Sequence, residues 1–313
     1  MLPILVLCYI RLDTLMQTFE SILNQPHGDI YASCDGSPEK YAAESLEVQR
    51  YLRNLFDTGV IKELRISSIN QGVFYGVSSG IDWFFNQVDR GIIFEDDLVL
   101  QPNLLNAVEL ASIHLENREI ISIGLSNYVP SKYLSQRESV YRYSRFTIAW
   151  GWVSTHKEWF SRIDTYQNLS YTKLFWKMFK NIGFSSALYH ILVFLRERNY
   201  ELHNPSKCNW DSLWQLTAFM KEKKVLVFNR NLLTNIGYGE TATHTKIKSV
   251  DYPTDTLLDE EIRMFRISDN NLSVDMKADK YFMRERKFSN FIRDILSLRT
   301  RTKRFLSSTV PNT

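Results

Sequence analysis

The chain has 313 residues, of which 44% are hydrophobic and 23% are charged, so it can bury a sizeable core and is not expected to be disordered. Its formal net charge of +3 is too small to indicate a nucleic-acid partner. The charge is uneven, because the segment 280–304 holds nine Lys or Arg against two acids, a net +7, which leaves about −4 for the rest of the chain.

Cysteine usage and the N-terminus indicate where the protein acts. Cys8, Cys34 and Cys208 are widely spaced and form no CxxC or Cys/His metal pattern, so we expect no disulfide framework and a reducing compartment. The apolar start MLPILVLCYI lacks a basic n-region and a small-residue cleavage site, which favours a first strand over a signal peptide. No run of 18 or more apolar residues occurs. We therefore expect a cytoplasmic protein.

The first half of the chain alternates predicted strands and helices. Apolar runs predict strands at 3–9, 29–36, 61–68 and 91–97, and helical spacing of apolar residues predicts helices at 14–23, 39–56 and 72–88. Asp13 is the predicted N-cap of the first helix. This alternation is typical of an α/β fold with a mixed, mostly parallel sheet flanked by helices.

The second half is less regular. Strands are predicted at 119–127 and within 146–155, and the segment 157–205 combines aromatic residues with helix formers. A helix is predicted to start near Asp211, and a further strand from 225 leads into the Gly-rich loop NIGYG.

An acidic cluster follows one of the predicted buried strands. Glu95, Asp96 and Asp97 come directly after GIIF, and Asp35 ends another strand. Ligands of open α/β sheets bind beyond the carboxyl ends of the strands. Neighbouring carboxylates that are partly buried repel each other unless a cation is present, and Mn²⁺ or Mg²⁺ prefers oxygen ligands. Taken alone, the triplet is equally compatible with an acidic loop in water.

Seven segments together resemble the nucleotide-sugar-dependent glycosyltransferases of the A-type fold, most of all the N-acetylglucosaminyltransferase I family and its bacterial relatives. In chain order they are PILVLCYIR, SCDG, NQGVFYGVSSGIDWFF, IIFEDDLVLQPNLL, AWGW, CNWDSLWQL and NIGYGETATHT, within about residues 1–250. The resemblance implies a Rossmann-like catalytic domain at 1–255, with a nucleotide-sugar half at about 1–125 and an acceptor half at about 126–255. A helical insertion at about 157–205 and a basic helical extension at 256–313 complete this organisation.

The resemblance also implies roles for the acidic cluster. Asp97 would bind a divalent cation, Mn²⁺ or Mg²⁺, in that family's Glu-Asp-Asp form of the metal motif. Asp96 would contact the ribose of the nucleotide, and Glu95 the donor sugar.

Five further residues would bind the donor by the same resemblance. Arg11 and Asp35 would hold the nucleotide, with Asn70 and Gly72 beside them. His244 would touch the diphosphate or the metal, although an isolated histidine is as often a surface or packed residue.

Asp211 is the proposed general base. In an inverting transfer the acceptor hydroxyl loses its proton as it attacks the anomeric carbon, and a carboxylate within hydrogen-bond reach can take that proton. The simpler interpretation makes Asp211 an N-cap of the following helix, and the two roles are compatible. The chain departs from the family at Ser212, where a second acid is usual, so the acceptor geometry is not carried over.

Two aromatic residues are candidates for sugar contact. Trp150 and Trp152 belong to the AWGW segment, and their rings could line the acceptor side of the site. The competing interpretation is packing in the core, which is the role of most tryptophans.

The C-terminal segment from Lys280 to Arg304 mixes basic residues with apolar ones and predicts an amphipathic helix. Two interpretations stay open. The helix packs its apolar face on the same protein, or it lies on anionic lipid and makes the protein peripheral on the inner face of the cell membrane. The second would suit a lipid-linked saccharide or lipopolysaccharide-core acceptor.

The function that the resemblance implies is metal-dependent, inverting transfer of a hexosyl or N-acetylhexosaminyl group from a UDP-sugar to a glycan or glycolipid. A nucleotidyltransferase acting on sugar phosphates is the first alternative, but CYIRLDTL lacks the Gly-rich basic loop usual in that class. A non-catalytic glycan-binding protein with the same fold is the second alternative.

Overall fold

The structure, a computed structural model, describes residues 1–237 and 272–286. The strands are β1 (Ile4–Cys8), β2 (Ile30–Cys34), β3 (Glu63–Ile66), β4 (Arg90–Glu95), β5 (Leu98–Leu100), β6 (Ile120–Gly124), β7 (Tyr141–Ser144), β8 (Trp152–Thr155), β9 (Lys224–Phe228) and β10 (Leu233–Asn235). The helices are α1 (Leu12–Leu23), α2 (Ala42–Asp57), α3 (Gly72–Phe85), α4 (Leu104–Ala111), α5 (His156–Phe160), α6 (Tyr171–Ile182), α7 (Phe184–His203) and α8 (Trp210–Met220). Residues 276–286 are also helical.

The main sheet has eight strands in the order β3-β2-β1-β4-β8-β6-β9-β7. Pairing is parallel from β3 to β4 and again between β6 and β9, whereas the pairs β4–β8, β8–β6 and β9–β7 are antiparallel. Strands β5 and β10 form a separate antiparallel pair. The mixed, mostly parallel sheet expected from the sequence is therefore confirmed.

Alternating side chains of β1 pack into two hydrophobic cores, one on each face of the sheet. Ile4, Val6 and Cys8 pack in one core with α1, α2 and α4. Leu5 and Leu7 pack in the other with α3 and the helices of the second half. Because both faces of β1 are covered, its sequence is a continuous apolar run instead of an alternating one.

Several local predictions differ from the structure. Asp13 is not the N-cap of α1, because the helix begins at Leu12 and Arg11 holds the cap position, so Asp13 lies in the first turn. The predicted strand within 146–155 is limited to β8, and β7 was not predicted. The segment 157–205 is largely helical, as expected, in α5, α6 and α7.

Residues 272–286, which belong to the predicted C-terminal extension, pack on the body of the protein. Asp279 is buried and accepts hydrogen bonds from Ser144 Oγ at 2.6 Å and from the Arg145 N–H at 2.9 Å. Phe282 lies against Phe146 with ring centroids 5.4 Å apart. Packing on the same protein, the first interpretation of the segment 280–304, thus holds for residues 280–286, and the remainder of that segment lies outside the described residues. The boundaries predicted for the domains stay a prediction.

The cysteines are free and buried. Burial raises the pKa of Cys34 and of Cys208 to about 12, and it raises the pKa of Cys8 well above the ordinary value. None of the helices in the described ranges is both long enough and apolar enough to cross a bilayer.

Candidate functional site

A cleft of about 530 Å³ opens at the carboxyl ends of β1, β2 and β4. Because these strands are parallel neighbours, the residues that follow them meet at one edge of the sheet. The predicted site residues that line the cleft are Arg11, Asp35, Asn70, Gly72, Glu95, Asp96, Asp97 and Asp211. We call the side formed by residues 9–11, 35, 70–77 and 95–97 the strand-end wall, and the side formed by residues 206–211 the helix wall.

Arg11 joins the two aspartates of the strand-end wall. Its Nη2 donates to Asp96 Oδ1 at 2.6 Å and to Asp97 Oδ2 at 2.9 Å. The Tyr9 N–H donates to Asp96 at 3.1 Å, and Asn235 Nδ2 donates to Asp97 at 3.3 Å. The two aspartate side chains are only 6% and 9% exposed. The pair is therefore fixed by hydrogen bonds from two separate segments, residues 9–11 and Asn235.

The strand-end wall carries more negative charge than its arginine neutralises. Burial raises the pKa of Asp96 to about 6, against the effect of Arg11. Burial also raises the pKa of Glu95 to about 8, and the surrounding carboxylates, Asp211 among them, act in the same direction. One guanidinium thus faces three carboxyl groups, so a further cation would be favourable at this edge.

The chemistry of these donors fits a divalent cation bound together with a ligand. Within residues 1–237 and 272–286, no three His, Cys, Asp or Glu side chains form a ready-made metal site. Mg²⁺ and similar hard cations are commonly held by only one or two carboxylates, with phosphate and water oxygens completing the coordination. Asp97 and its neighbours offer that kind of partial site.

Asp35 organises the start of α3. Its carboxylate accepts the backbone N–H groups of Gly36 at 2.9 Å and of Gln71 and Gly72 at 3.1 Å. Burial raises the pKa of Asp35, and these N–H groups oppose the rise. A Cβ at Gly76 would lie only 2.6 Å from Asp35 Oδ2, so this glycine permits the close approach of helix and carboxylate. Asp35 shapes the wall, and its contact with a nucleotide stays a prediction.

Asp211 lies in the first turn of α8, on the helix wall. The helix begins at Trp210 with Asn209 in the cap position, so the interpretation of Asp211 as the N-cap is wrong. Asp211 lines the cleft, and a carboxylate in the first turn is favoured by the helix dipole. The helix therefore holds this carboxylate at the cleft without using it as a cap.

Glu197, which the sequence analysis missed, anchors the helix wall. This residue of α7 is 0% exposed. Its Oε2 accepts the Asn209 N–H at 2.9 Å, and its Oε1 accepts from Asn209 Nδ2 at 3.3 Å. These bonds fix the residue at which α8 begins and hence the direction of the turn that carries Asp211. A buried carboxylate twelve residues upstream offers no local signal of this contact.

The structure does not bring Trp152 to the cleft, contrary to the expectation of sugar contact. Its ring is 1% exposed and stacks on Trp210 with centroids 5.8 Å apart. The physical reason is its place in β8, opposite Ile93 of β4, which directs it into the second core. Trp150, which precedes the strand, lines the cleft instead.

The start of the Gly-rich loop NIGYG contributes Asn235 and Gly237 to the site, and neither residue was predicted individually. Asn235 contacts Asp97, and a Cβ at Gly237 would overlap the Asp97 carboxylate and lie 2.6 Å from Arg11 Nη1. The Gly-rich composition of NIGYG was the available signal for so close an approach. His244 lies outside the described residues.

Comparisons with known proteins give similarities of fold. No protein-family model matches the chain, and no curated protein matches its sequence. Among solved structures, it is similar to TarS 1–349 of S. aureus at 9% identity and a TM-score of 0.42, over 74% of this chain and 60% of TarS 1–349. The chain therefore spans about three fifths of that protein.

Two other similar structures have different activities. One is the mannosyltransferase PcManGT from Pyrobaculum calidifontis in complex with GDP-Man and Mn²⁺, with 11% identity, a TM-score of 0.37, and coverage of 70% of this chain and 74% of PcManGT. The other is the UTP-bound UGPase from Acinetobacter baumannii, with 9% identity, a TM-score of 0.35, and coverage of 73% and 86%. Because these similar structures differ in activity, the function of the cleft has to be argued from the residues of this chain.

Proposed function

We propose that the protein is a metal-dependent, inverting glycosyltransferase that moves a hexosyl or N-acetylhexosaminyl group from a UDP-sugar to a hydroxyl of a glycan or glycolipid. One observation carries the proposal. Asp211 lines the same cleft as the carboxylates that follow β4, and its charge acts on Glu95. In this proposal a base for the acceptor and a cation site for the donor diphosphate would share one cavity. The resemblance of the acidic motif and of the Trp210-Asp211 segment supports the same assignment.

The strand-end wall would bind the donor. Asp96 would contact the ribose, Glu95 the sugar, and Asp35 with Asn70 the nucleotide. A divalent cation held by Asp97 would neutralise the charge that develops on the departing diphosphate. Arg11 would keep the two aspartates oriented, because it bonds both carboxylates.

The helix wall would supply the proton acceptor. The acceptor hydroxyl oxygen forms the new bond to the anomeric carbon, while the bond from that carbon to the diphosphate oxygen breaks. The hydroxyl proton passes to the Asp211 carboxylate, and the nucleoside diphosphate leaves with the bonding electron pair. A carboxylate in this role contributes about 10²- to 10⁴-fold to the rate. Trp150 would line the side from which the acceptor enters.

Binding can be tested by thermal unfolding with UDP and Mn²⁺ added together. A ligand that binds only the folded protein stabilises it by about 2.7 kcal/mol at a hundred times its dissociation constant. We expect stabilisation of the native protein and its loss in Asp97→Asn. The matched control is Asp29→Asn, whose side chain is 56% exposed and pairs with Lys62. An equal response of Asp97→Asn and the native protein would contradict the assignment of the cation site.

Catalysis can be tested by slow hydrolysis of a panel of UDP-, GDP-, CMP- and dTDP-sugars in the presence of Mn²⁺. We expect release of the nucleotide, fastest as UDP from one UDP-sugar. Formation of pyrophosphate from UTP and a sugar 1-phosphate would favour the nucleotidyltransferase alternative. Tight nucleotide binding with no turnover of either kind, even with glycan acceptors added, would favour a binding protein.

A further inference from the structure

The pair of helices α6 and α7 exposes an unusual amount of apolar surface. Trp176 is 59% exposed and Phe184 60%, and both lie near the junction of the two helices. The stripe continues along α7 through Leu188, Leu192 and Leu195, which are at least 40% exposed. Spacings of three and four residues place these side chains on one face of the helix.

These exposed residues do not contribute to the packing of α6 and α7 on the rest of the protein. Each helix already buries another face, α6 through Leu174 and Met178, and α7 through Ala187 and Phe194. The apolar stripe is therefore a second hydrophobic surface on helices whose core-facing surface is already packed. Continuous exposed apolar patches of this kind mark interaction sites.

The aromatic residues at the junction form one cluster. Phe175 lies 5.7 Å from Phe184 between ring centroids, and Trp176 lies 5.6 Å from Phe179. Gly183 separates the helices and has a φ of +77°, a conformation that favours glycine and lets α7 begin directly after α6 ends. The cluster is consequently the tip of a helical hairpin.

The segment that forms this tip carries charge of a single sign, and Glu222 from outside the segment pairs with Lys177 at 3.6 Å. Residues 165–195 contain Lys173, Lys177 and Lys180 and no Asp or Glu. Lys173 and Lys180 are exposed and lie three and four residues from Trp176, on the same side of α6. Basic residues beside exposed Trp, Phe and Leu are the combination found in segments that lie on anionic lipid.

We infer that the hairpin of α6 and α7 docks on the surface of an anionic lipid bilayer, with Trp176, Phe179, Phe184 and Leu188 in the interface and Lys173 and Lys180 at the headgroups. Charge argues for this occupant against two others. A second copy of the chain would bring like-charged lysine pairs together. Residues 287–313 of the same chain carry six Lys or Arg against one acid, so they too would be repelled by the tip.

The docking surface is independent of the proposed catalytic function, but it has a defined relation to the cleft. Helix α7 ends at His203, and the chain continues through residues 205–207 into the helix wall. Because α7 spans 20 residues, or about 30 Å, a hairpin docked at its tip would hold the helix wall within about that distance of the lipid surface.

Co-sedimentation with vesicles tests the inference on the full-length chain. Vesicles of phosphatidylcholine with about a third phosphatidylglycerol should bind the native protein more tightly than vesicles of phosphatidylcholine alone. Trp176→Ser/Phe184→Ser should weaken binding at least about tenfold, because each apolar group removed from the interface lowers the partition. The control Phe56→Ser/Ile113→Ser removes two comparably exposed apolar residues elsewhere and should bind as the native protein does.

The charge contribution has its own variant pair. Lys173→Gln/Lys180→Gln should weaken binding to the anionic vesicles about fivefold per lysine, with little effect on neutral vesicles. Lys40→Gln/Lys157→Gln, which changes two exposed lysines away from the hairpin, should have a much smaller effect.

Contact of the tip with lipid can be observed directly. Brominated lipids should quench part of the tryptophan fluorescence of the native protein, and Trp176→Phe should remove that quenching while it keeps the apolar surface. Equal vesicle binding by the native protein and the hairpin variants would overturn the inference, since another segment would then carry the binding. Dimerisation in light scattering that Trp176→Ser/Phe184→Ser abolishes, without vesicle binding, would overturn it in favour of a second copy.

Discussion

The two walls of the cleft are stabilised in different ways. The strand-end wall consists of residues at the ends of β1, β2 and β4 and of the start of α3, and the charge of Arg11 holds Asp96 and Asp97. The helix wall consists of a short turn and the start of α8, and it is held by hydrogen bonds that Asn209 donates to the Glu197 carboxylate. The first wall therefore depends on charge balance, and the second on the position of one helix relative to another.

This difference matters because the proposed function divides along the same line. The donor would be bound by the wall whose charge is incomplete without a ligand, whereas the proton acceptor would lie on the wall that is already held by hydrogen bonds. Changes in the two walls should consequently separate binding from turnover.

The largest expected effect separates the walls most directly. Asp211→Asn should lower turnover about 10²- to 10⁴-fold, because an amide cannot take the acceptor proton. Nucleotide affinity in the presence of Mn²⁺ should be unchanged, as measured by titration calorimetry. Asp164→Asn, an exposed aspartate, is the control. A parallel loss of nucleotide affinity would mean that Asp211 belongs to the donor site.

The next effect concerns charge balance in the strand-end wall. Arg11→Gln should lower the free energy of unfolding by about 3–5 kcal/mol, because two buried carboxylates lose their partner. Mn²⁺ should restore part of this loss in urea titrations. The control Arg162→Gln breaks the pair with Asp82 outside the cleft, so Mn²⁺ should not rescue it. Equal responses of both variants to Mn²⁺ would argue against a cation site beside Asp97.

A buried carboxylate that does not line the cleft, Asp279, provides a reference for pH effects on folding. Burial raises the pKa of Asp279 from 3.8 to about 6, so the folded state holds this proton more tightly and its contribution to stability is lost as pH rises through about 6. The variant Asp279→Asn does not lose stability in this way, because its side chain does not ionise. Its stability relative to the native protein should rise by about 2–3 kcal/mol between pH 4 and pH 7. A difference that stays constant across urea titrations at these pH values would contradict the prediction.

The smallest expected effect tests the anchor of the helix wall. Glu197→Gln replaces one acceptor oxygen by a donor and should lower turnover about tenfold, with nucleotide affinity unchanged, because Asn209 and the first turn of α8 shift. Glu201→Gln, one turn later on α7, alters a carboxylate that accepts the Tyr166 N–H at 3.3 Å and should leave turnover near the native value. Loss of nucleotide affinity in Glu197→Gln would show that the two walls are coupled.

The two walls also differ in how far they could be predicted from sequence. The acidic part of the strand-end wall could be predicted from neighbouring residues. Ile92, Ile93 and Phe94 predict the strand, and the three carboxylates come directly after them in the sequence. The helix wall required a contact between Glu197 and Asn209, and this contact depends on where α7 ends. Neither the helical periodicity of the apolar residues nor the helix propensity of the sequence fixes the last residue of α7 to within one position.

Trp150 and Trp152 are a second case in which the sequence alone does not decide which residue reaches the cleft. Trp150 and Trp152 share one segment, and two residues decide which of them belongs to the core. Strand β8 begins at Trp152 and pairs with β4, a fact set by the sheet and not by the segment itself. Strand β7 was missed because Tyr141–Ser144 is only four residues long and its partner β9 lies far along the chain.

The burial of the cysteines has a practical consequence for spectroscopy. The three thiols in the sequence are buried, and their raised pKa values leave very little thiolate at neutral pH. Maleimide reagents should therefore react slowly with the native protein. A single cysteine introduced at an exposed position such as Trp176 could then carry a fluorophore or spin label alone, without prior removal of the native cysteines.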